Sequence, residues 1–175
     1  MNDKHLSTQF DAELSGISNR VLEMGGLVES QVAQGVYALT HLSLETAEQV
    51  LKQEDRVNHM EMEIDRDLTA IIARRQPTAR DLRLLIAVHK TIANLERVGD
   101  EAARIARVVQ RLVSNGVSSR LPTFDLGVEA DLAIAQLRKA LDAFARLDTG
   151  KALEVLKQDD QIDREFEGLL RKLIT

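Results

Sequence analysis

Three features of the sequence predict an all-helical fold. Apolar residues recur at three- and four-residue spacing almost throughout the 175 residues, and no stretch of strict alternation competes with that pattern. The two prolines, Pro77 and Pro122, fall between the periodic segments rather than inside them. Two segments far apart in the chain also share one apolar register, as an internal repeat requires.

Five helices follow in order. The first is expected from about Ser7 to Thr40, with Leu14, Ile17, Val21, Met24, Val28, Val32 and Leu39 inward. Gly25 and Gly26 interrupt it. With helical sequence on both sides, the pair marks a close helix contact or a small bend rather than a phosphate loop. The second runs from about Leu44 to Arg74, with Val50, Val57, Ile64 and Ile71 at heptad spacing, and Pro77 stops it. Thr78 is placed to cap the third helix, and Asp81 three residues later makes a pair like a capping box. Helix three carries the stripe Val88, Ile92, Leu95, Gly99, Ala102, Ala106, Val109 and Val113. Ser114 to Thr123 reads as a linker, helix four as Phe124 to Arg146, and helix five as Thr149 onward.

The repeat aligns the segment starting at Gly35 with that starting at Ala140, an offset of 105 without a gap. Identities fall at Ala38/Ala143, Val50/Val155, Leu51/Leu156, Lys52/Lys157, Gln53/Gln158 and Asp55/Asp160. The expected organisation is a three-helix unit over residues 1–115, followed over 122–175 by the first two helices of a second unit.

Composition excludes several classes of function. A net charge of −5 with only 3% aromatic residues argues against a general nucleic-acid binder. No cysteine is present, so thiolate metal ligands are ruled out. The start of the chain has no basic segment followed by an apolar run, and the longest apolar stretch, Leu84 to Val88, is far too short to span a bilayer. These features predict a cytoplasmic protein.

The chemistry concentrates between helices two and three. Helices joined by a short turn lie antiparallel, so residues equally far from Gln76–Pro77 face each other. That count brings Glu96 and Asp100, one turn apart, beside Glu54, Asp55, Asn58 and Glu61. Gly99 between them leaves room for another backbone or an ion. Carboxylates brought together must be protonated, spread apart or bridged by cations, and oxygen ligands favour hard ions such as magnesium, calcium, manganese or iron. The competing reading is a solvated acidic face, paired with Arg56, Arg66, Arg97 and Arg104. His59 and His89 stand near enough to ligate, whereas His5 and His41 look incidental. No Glu-x-x-His pair, catalytic triad or phosphate-binding glycine loop is present, so no enzyme is expected.

The strings RRQPTARDLRLL and KTIANLERVGDEAARIA resemble the first repeat of the PhoU family, and ALDAFARLD and DREFEGLLRKL resemble the start of its second. The resemblance implies tandem three-helix bundles, the second here incomplete, so that the chain reads as a fragment. It implies a negative regulator of the phosphate-starvation response that links a phosphate ABC transporter to a sensor histidine kinase. Such a regulator works in the cytoplasm and at the inner membrane through its partners. It also implies a metal ion (iron, manganese, magnesium or zinc) held by a Glu/Asp-x-x-x-Asp motif in each bundle. The motif maps onto Glu96-Arg97-Val98-Gly99-Asp100, with Asp55 notably facing it. Asp159, Asp160 and Asp163 of the second repeat have no such motif to meet within the chain. The alternative is a metal-free helical scaffold of another pathway. Helices four and five carry the stripes Leu137, Leu141, Phe144 and Val155, Ile162, Phe166, Leu169, Leu173, and their burial between two copies predicts a homodimer.

Overall fold

The computed structural model describes residues 2–117 and 126–174, with the side chains of 2–7, 159–162, 165, 166, 169, 170 and 172–174 outside the description. Five α-helices account for nearly all of it: α1 (Asn2–His41), α2 (Leu44–Arg75), α3 (Ala79–Ser114), α4 (Leu126–Arg146) and α5 (Thr149–Ile174). No strand occurs among the described residues.

The first three helices form an antiparallel bundle in which each packs on the other two. Their heptad lines interlock at the centre. Ile17, Val21, Met24 and Val28 of α1 meet Val57, Ile64, Leu68 and Ile71 of α2 and Leu85, Val88, Ile92 and Leu95 of α3. Towards the α1–α2 turn the core changes to small residues, Ala38, Ala47, Ala102 and Ala106 with Val50 and Val109. The backbones close in there, and a Cβ on Gly35 would lie 3.3 Å from the Ala102 carbonyl oxygen.

Turn chemistry fixes the connections. Ser43 caps α2 by accepting a hydrogen bond from the Thr46 N–H, and Gln76 closes it in the left-handed region at φ 46°. The Thr78 side chain makes no cap bond to α3. Its hydroxyl donates instead to the Asp81 carboxylate at 2.8 Å, so the expected pair forms between side chains and not as a capping box.

The repeat is visible in backbone geometry. Leu42 and Leu147, 105 residues apart, both take positive φ, at 50° and 51°. Ser43 N–H donates to the Ala38 carbonyl and Asp148 N–H to the Ala143 carbonyl, at 3.0 and 2.9 Å. Ser43 accepts from the Thr46 N–H and Asp148 from the Lys151 N–H, again at the same offset. The bonds and backbone angles that the two turns share support duplication beyond the shared string.

The α4–α5 hairpin docks through α4 onto α1. Leu137, Leu141 and Phe144 pack against the core of the first three helices. Gly25 makes this possible, because a Cβ there would stand 2.6 Å from a Leu141 methyl. The α4 stripe, expected to await a second copy, is thus partly covered by α1. Phe166, Ile162, Leu169 and Leu173 lie outside the described side chains.

Candidate metal centre

Halfway along the bundle one layer departs from the apolar pattern. On α1 the heptad line Ile17, Met24, Gln31, Ala38 is buried throughout, and Gln31 is its one polar member. On α2 the line Ala47, Glu54, Glu61, Leu68 runs between two core residues, and Glu54 is only 4% exposed. On α3 the line Leu85, Ile92, Gly99, Ala106 places a glycine in the same layer. A Cβ on Gly99 would lie 3.0 Å from Gln31 Oε1, 3.3 Å from Glu54 Oε2 and 3.4 Å from Val57. The missing side chain is what lets Gln31 and Glu54 reach α3.

Glu54, Glu96 and Asp100 bring one carboxylate oxygen each to within 4.8 Å of one another. Gln31 Nε2 donates to Glu54 Oε2 at 2.7 Å and, more weakly, to the Val50 carbonyl at 3.4 Å. The other buried oxygens nearby, Gln31 Oε1, Glu54 Oε1 and Asn58 Oδ1, have no hydrogen-bond partner. Buried acceptors are rarely left unpaired, because each has given up water without compensation. Such orphaned oxygens beside the converging carboxylates of Glu54, Glu96 and Asp100 match the all-oxygen donor set of a hard cation, so the residues present fit one.

Electrostatics support the same reading. Burial raises the Glu54 carboxyl, aided by the adjoining Asp100 carboxylate and opposed by the amides of Gln31 and Asn58. Burial likewise raises Glu96, followed by the charges of Asp100 and Glu61, with Arg97 opposing. A cation bound there would favour the ionised forms that burial disfavours.

Of the six residues expected at the site, Glu54, Glu96 and Asp100 come together as a compact group. Asn58 is half-buried one turn from Glu54, and Glu61 is half-buried at the edge, near enough to repel Glu96. Asp55 is exposed and stands apart. One residue along a helix is a rotation of roughly 100°, which turns position 55 out of the heptad line that carries 54 inward. The histidines stay outside as well: His59 faces Glu63 at 3.3 Å and His89 meets Asp65 at 2.8 Å, both exposed. Arg56 and Arg104 pair with Glu23 and Glu101 rather than with the cluster.

The reading from sequence missed Gln31. The signal was available: it is a polar residue in a heptad core position, and the repeat offset carries it onto another glutamine, Gln136. The same offset carries Glu54 onto Asp159.

The PhoU domain profile matches residues 21–109 and 128–175, both segments of the repeat. The chain belongs to the PhoU domain family. A phosphate-specific transport system accessory protein PhoU homolog from a Burkholderia species is 45% identical over all of this chain and 75% of its own length. The Escherichia coli K12 protein of that name, PhoU, is 41% identical over 99% of this chain and 71% of its own. The crystal structure of PhoU from Pseudomonas aeruginosa superposes with a TM-score of 0.87 at 42% identity, covering 94% of this chain and 78% of that one. The PhoU regulatory protein from Streptococcus pneumoniae gives 0.84 at 28% identity, covering 94% of this chain and 77% of that one. These PhoU structures share the helical-bundle architecture, and the family is one of regulatory accessory proteins.

Proposed function

We propose that the chain is a cation-dependent negative regulator of the phosphate-starvation response, an adaptor between a phosphate ABC transporter and a sensor histidine kinase. The observation that carries this is family membership, with relatives at 41–45% identity named as accessory proteins of the phosphate-specific transport system. No helix among the described residues is long and apolar enough to cross a membrane. In this reading the regulator works from the cytoplasm and reaches the inner membrane through its partners.

Glu54, Glu96 and Asp100 are the proposed cation ligands, with Gln31, Asn58 and Glu61 around them. A bound cation would supply positive charge that offsets repulsion between α2 and α3. Gln31 orients Glu54 and Gly99 admits both side chains, while Glu96 is half-buried and Asp100 is exposed, so the site is open to water on one side. The ion is iron, manganese, magnesium or zinc, and its role is to set the shape of a contact surface, not to turn over a substrate.

The test has two parts. Replacing Glu96 and Asp100 together by Ala should remove bound metal, measured by elemental analysis, while the helical circular dichroism stays nearly intact. In cells, loss of the protein should switch on phosphate-starvation genes despite ample phosphate. Unchanged metal content in the double variant defeats the cation assignment, and normal repression without the protein defeats the regulatory one.

A further inference from the structure

α3 carries a second ordered pattern, on the side opposite its core. Arg83, Lys90, Arg97, Arg104 and Arg111 recur at intervals of seven residues, and all five are exposed. At 1.5 Å per residue the row extends about 42 Å, with a cation roughly every 10 Å. The core residues Val88, Leu95, Ala102 and Ala106 lie on the far side of the helix. Among the described residues α3 packs only on α1 and α2, so nothing covers the row.

The charge is segregated. α3 holds seven cations, these five with Arg80 and Arg107, against Asp81, Glu96, Asp100 and Glu101, a net of +3. The chain as a whole is at −5, so the rest carries −8. One ion pair interrupts the row, Arg104 to Glu101 at 3.1 Å. Shallow recesses open beside it, one between Arg97 and Glu101 and another lined by Arg104, Arg107 and Arg111.

We propose that this row is a docking surface for an acidic face of a partner protein: a helix presenting carboxylates one heptad apart, on the cytoplasmic side of the transport complex. The proposal rests on the function proposed above. Three observations favour a protein over other anionic surfaces. Six of the seven cations are arginine, whose rigid fork pairs with carboxylates two bonds at a time and which is enriched at protein interfaces where lysine is depleted. An anionic bilayer would meet Glu101 within the row and a body otherwise strongly acidic. A nucleic acid would find no aromatic side chain on α3 to stack against. Exposed ion pairs are individually weak, so the row chiefly sets orientation and speed of encounter.

The experiment measures binding of this chain to the purified phosphate transport complex in nanodiscs of neutral lipid, at low and high salt. Wild type should bind and weaken with salt. The variant Arg83→Glu, Lys90→Glu, Arg111→Glu should bind roughly tenfold more weakly, with a flatter salt dependence. It should keep wild-type helicity, thermal midpoint and metal content, because none of the three touches the Glu54–Glu96–Asp100 cluster. If that variant misfolds, the corresponding triple Gln variant should show a smaller loss in the same direction. A folded charge variant that binds like wild type overturns the proposal while leaving the regulatory role intact. Equal capture of wild type by empty discs of anionic lipid also overturns it, since the bilayer is then the occupant. Wild type that binds neither complex nor discs overturns both the docking surface and the adaptor function.

Discussion

The Gln31 amide donates to Glu54 Oε2 at 2.7 Å, while its own Oε1 lies 3.0 Å from the place a Cβ of residue 99 would take. One side chain from α1 thus bonds to α2 and lies against α3, in the layer that holds Gln31 and Glu54, the two buried polar side chains among the described residues. The carboxylate cluster is a three-helix construction, although its acids come from two helices.

Gln31→Leu removes the donor that holds Glu54 and leaves a buried carboxyl without its partner. The expected cost is about 1–3 kcal/mol in the chelated protein, read by urea denaturation. Cation affinity should fall as well, because Glu54 is no longer oriented. Wild-type stability together with wild-type metal affinity would show that Gln31 only fills space.

The pH dependence follows from the direction of the shifts. Glu54 and Glu96 both have carboxyls raised on folding, by burial first. The folded state then binds protons more tightly than the unfolded state. Stability contributed by these groups is therefore lost as pH rises from the ordinary glutamate range through the raised folded values. Glu13 is lowered by Arg75, and Asp142 by Arg146 and Lys151; these act below that range and in the opposite sense. The difference between wild type and Glu54→Gln isolates the effect. In chelator, wild type should lose thermal stability relative to Glu54→Gln as pH rises, and saturating manganese should reverse the loss. A pH-independent difference would mean that Glu54 is ionised at no cost.

Gly25→Ala should loosen the α4–α5 hairpin from α1. The new methyl stands 2.6 and 2.7 Å from the two Leu141 methyls and 3.2 Å from Leu141 Cγ, so the whole side chain must move. Overpacking of this kind costs about 1–3 kcal/mol, partly offset by the gain of about 1 kcal/mol for Ala over Gly within a helix. Hydrogen exchange should quicken in α4 while α2 and α3 stay protected. Gly26→Ala meets no atom within 4 Å and serves as the control.

Self-association is expected through exposed apolar residues of α4 and α5. Leu153 and Leu156 of α5 are 58% and 66% exposed, and Val128 and Leu132 of α4 are exposed as well. Pairing these surfaces across a two-fold axis would bury them in an isologous contact. Light scattering of the 175-residue chain should give a dimer, and Leu156→Glu should give a monomer. A dimer that survives Leu156→Glu places the interface elsewhere.

The sequence by itself determined the helices, their order and the location of the turns, because heptad lines, Pro77 and the repeat are local or periodic signals. It also determined that Glu96 and Asp100 share a flank with a glycine between them, since spacing along one helix fixes that. Choosing between Glu54 and Asp55 depended on the rotation of α2 about its axis, which counting back from Gln76 leaves uncertain by about a turn. Core packing of Val57, Ile64 and Ile71 sets that rotation and turns Glu54 inward. The heptad position of Gln31 marked it as a polar core residue, but that it stands at the height of Glu54 depends on how α1 crosses α2 and α3. The covering of Leu137, Leu141 and Phe144 was decided in the same way, by a hairpin that docks where Gly25 leaves α1 without a side chain.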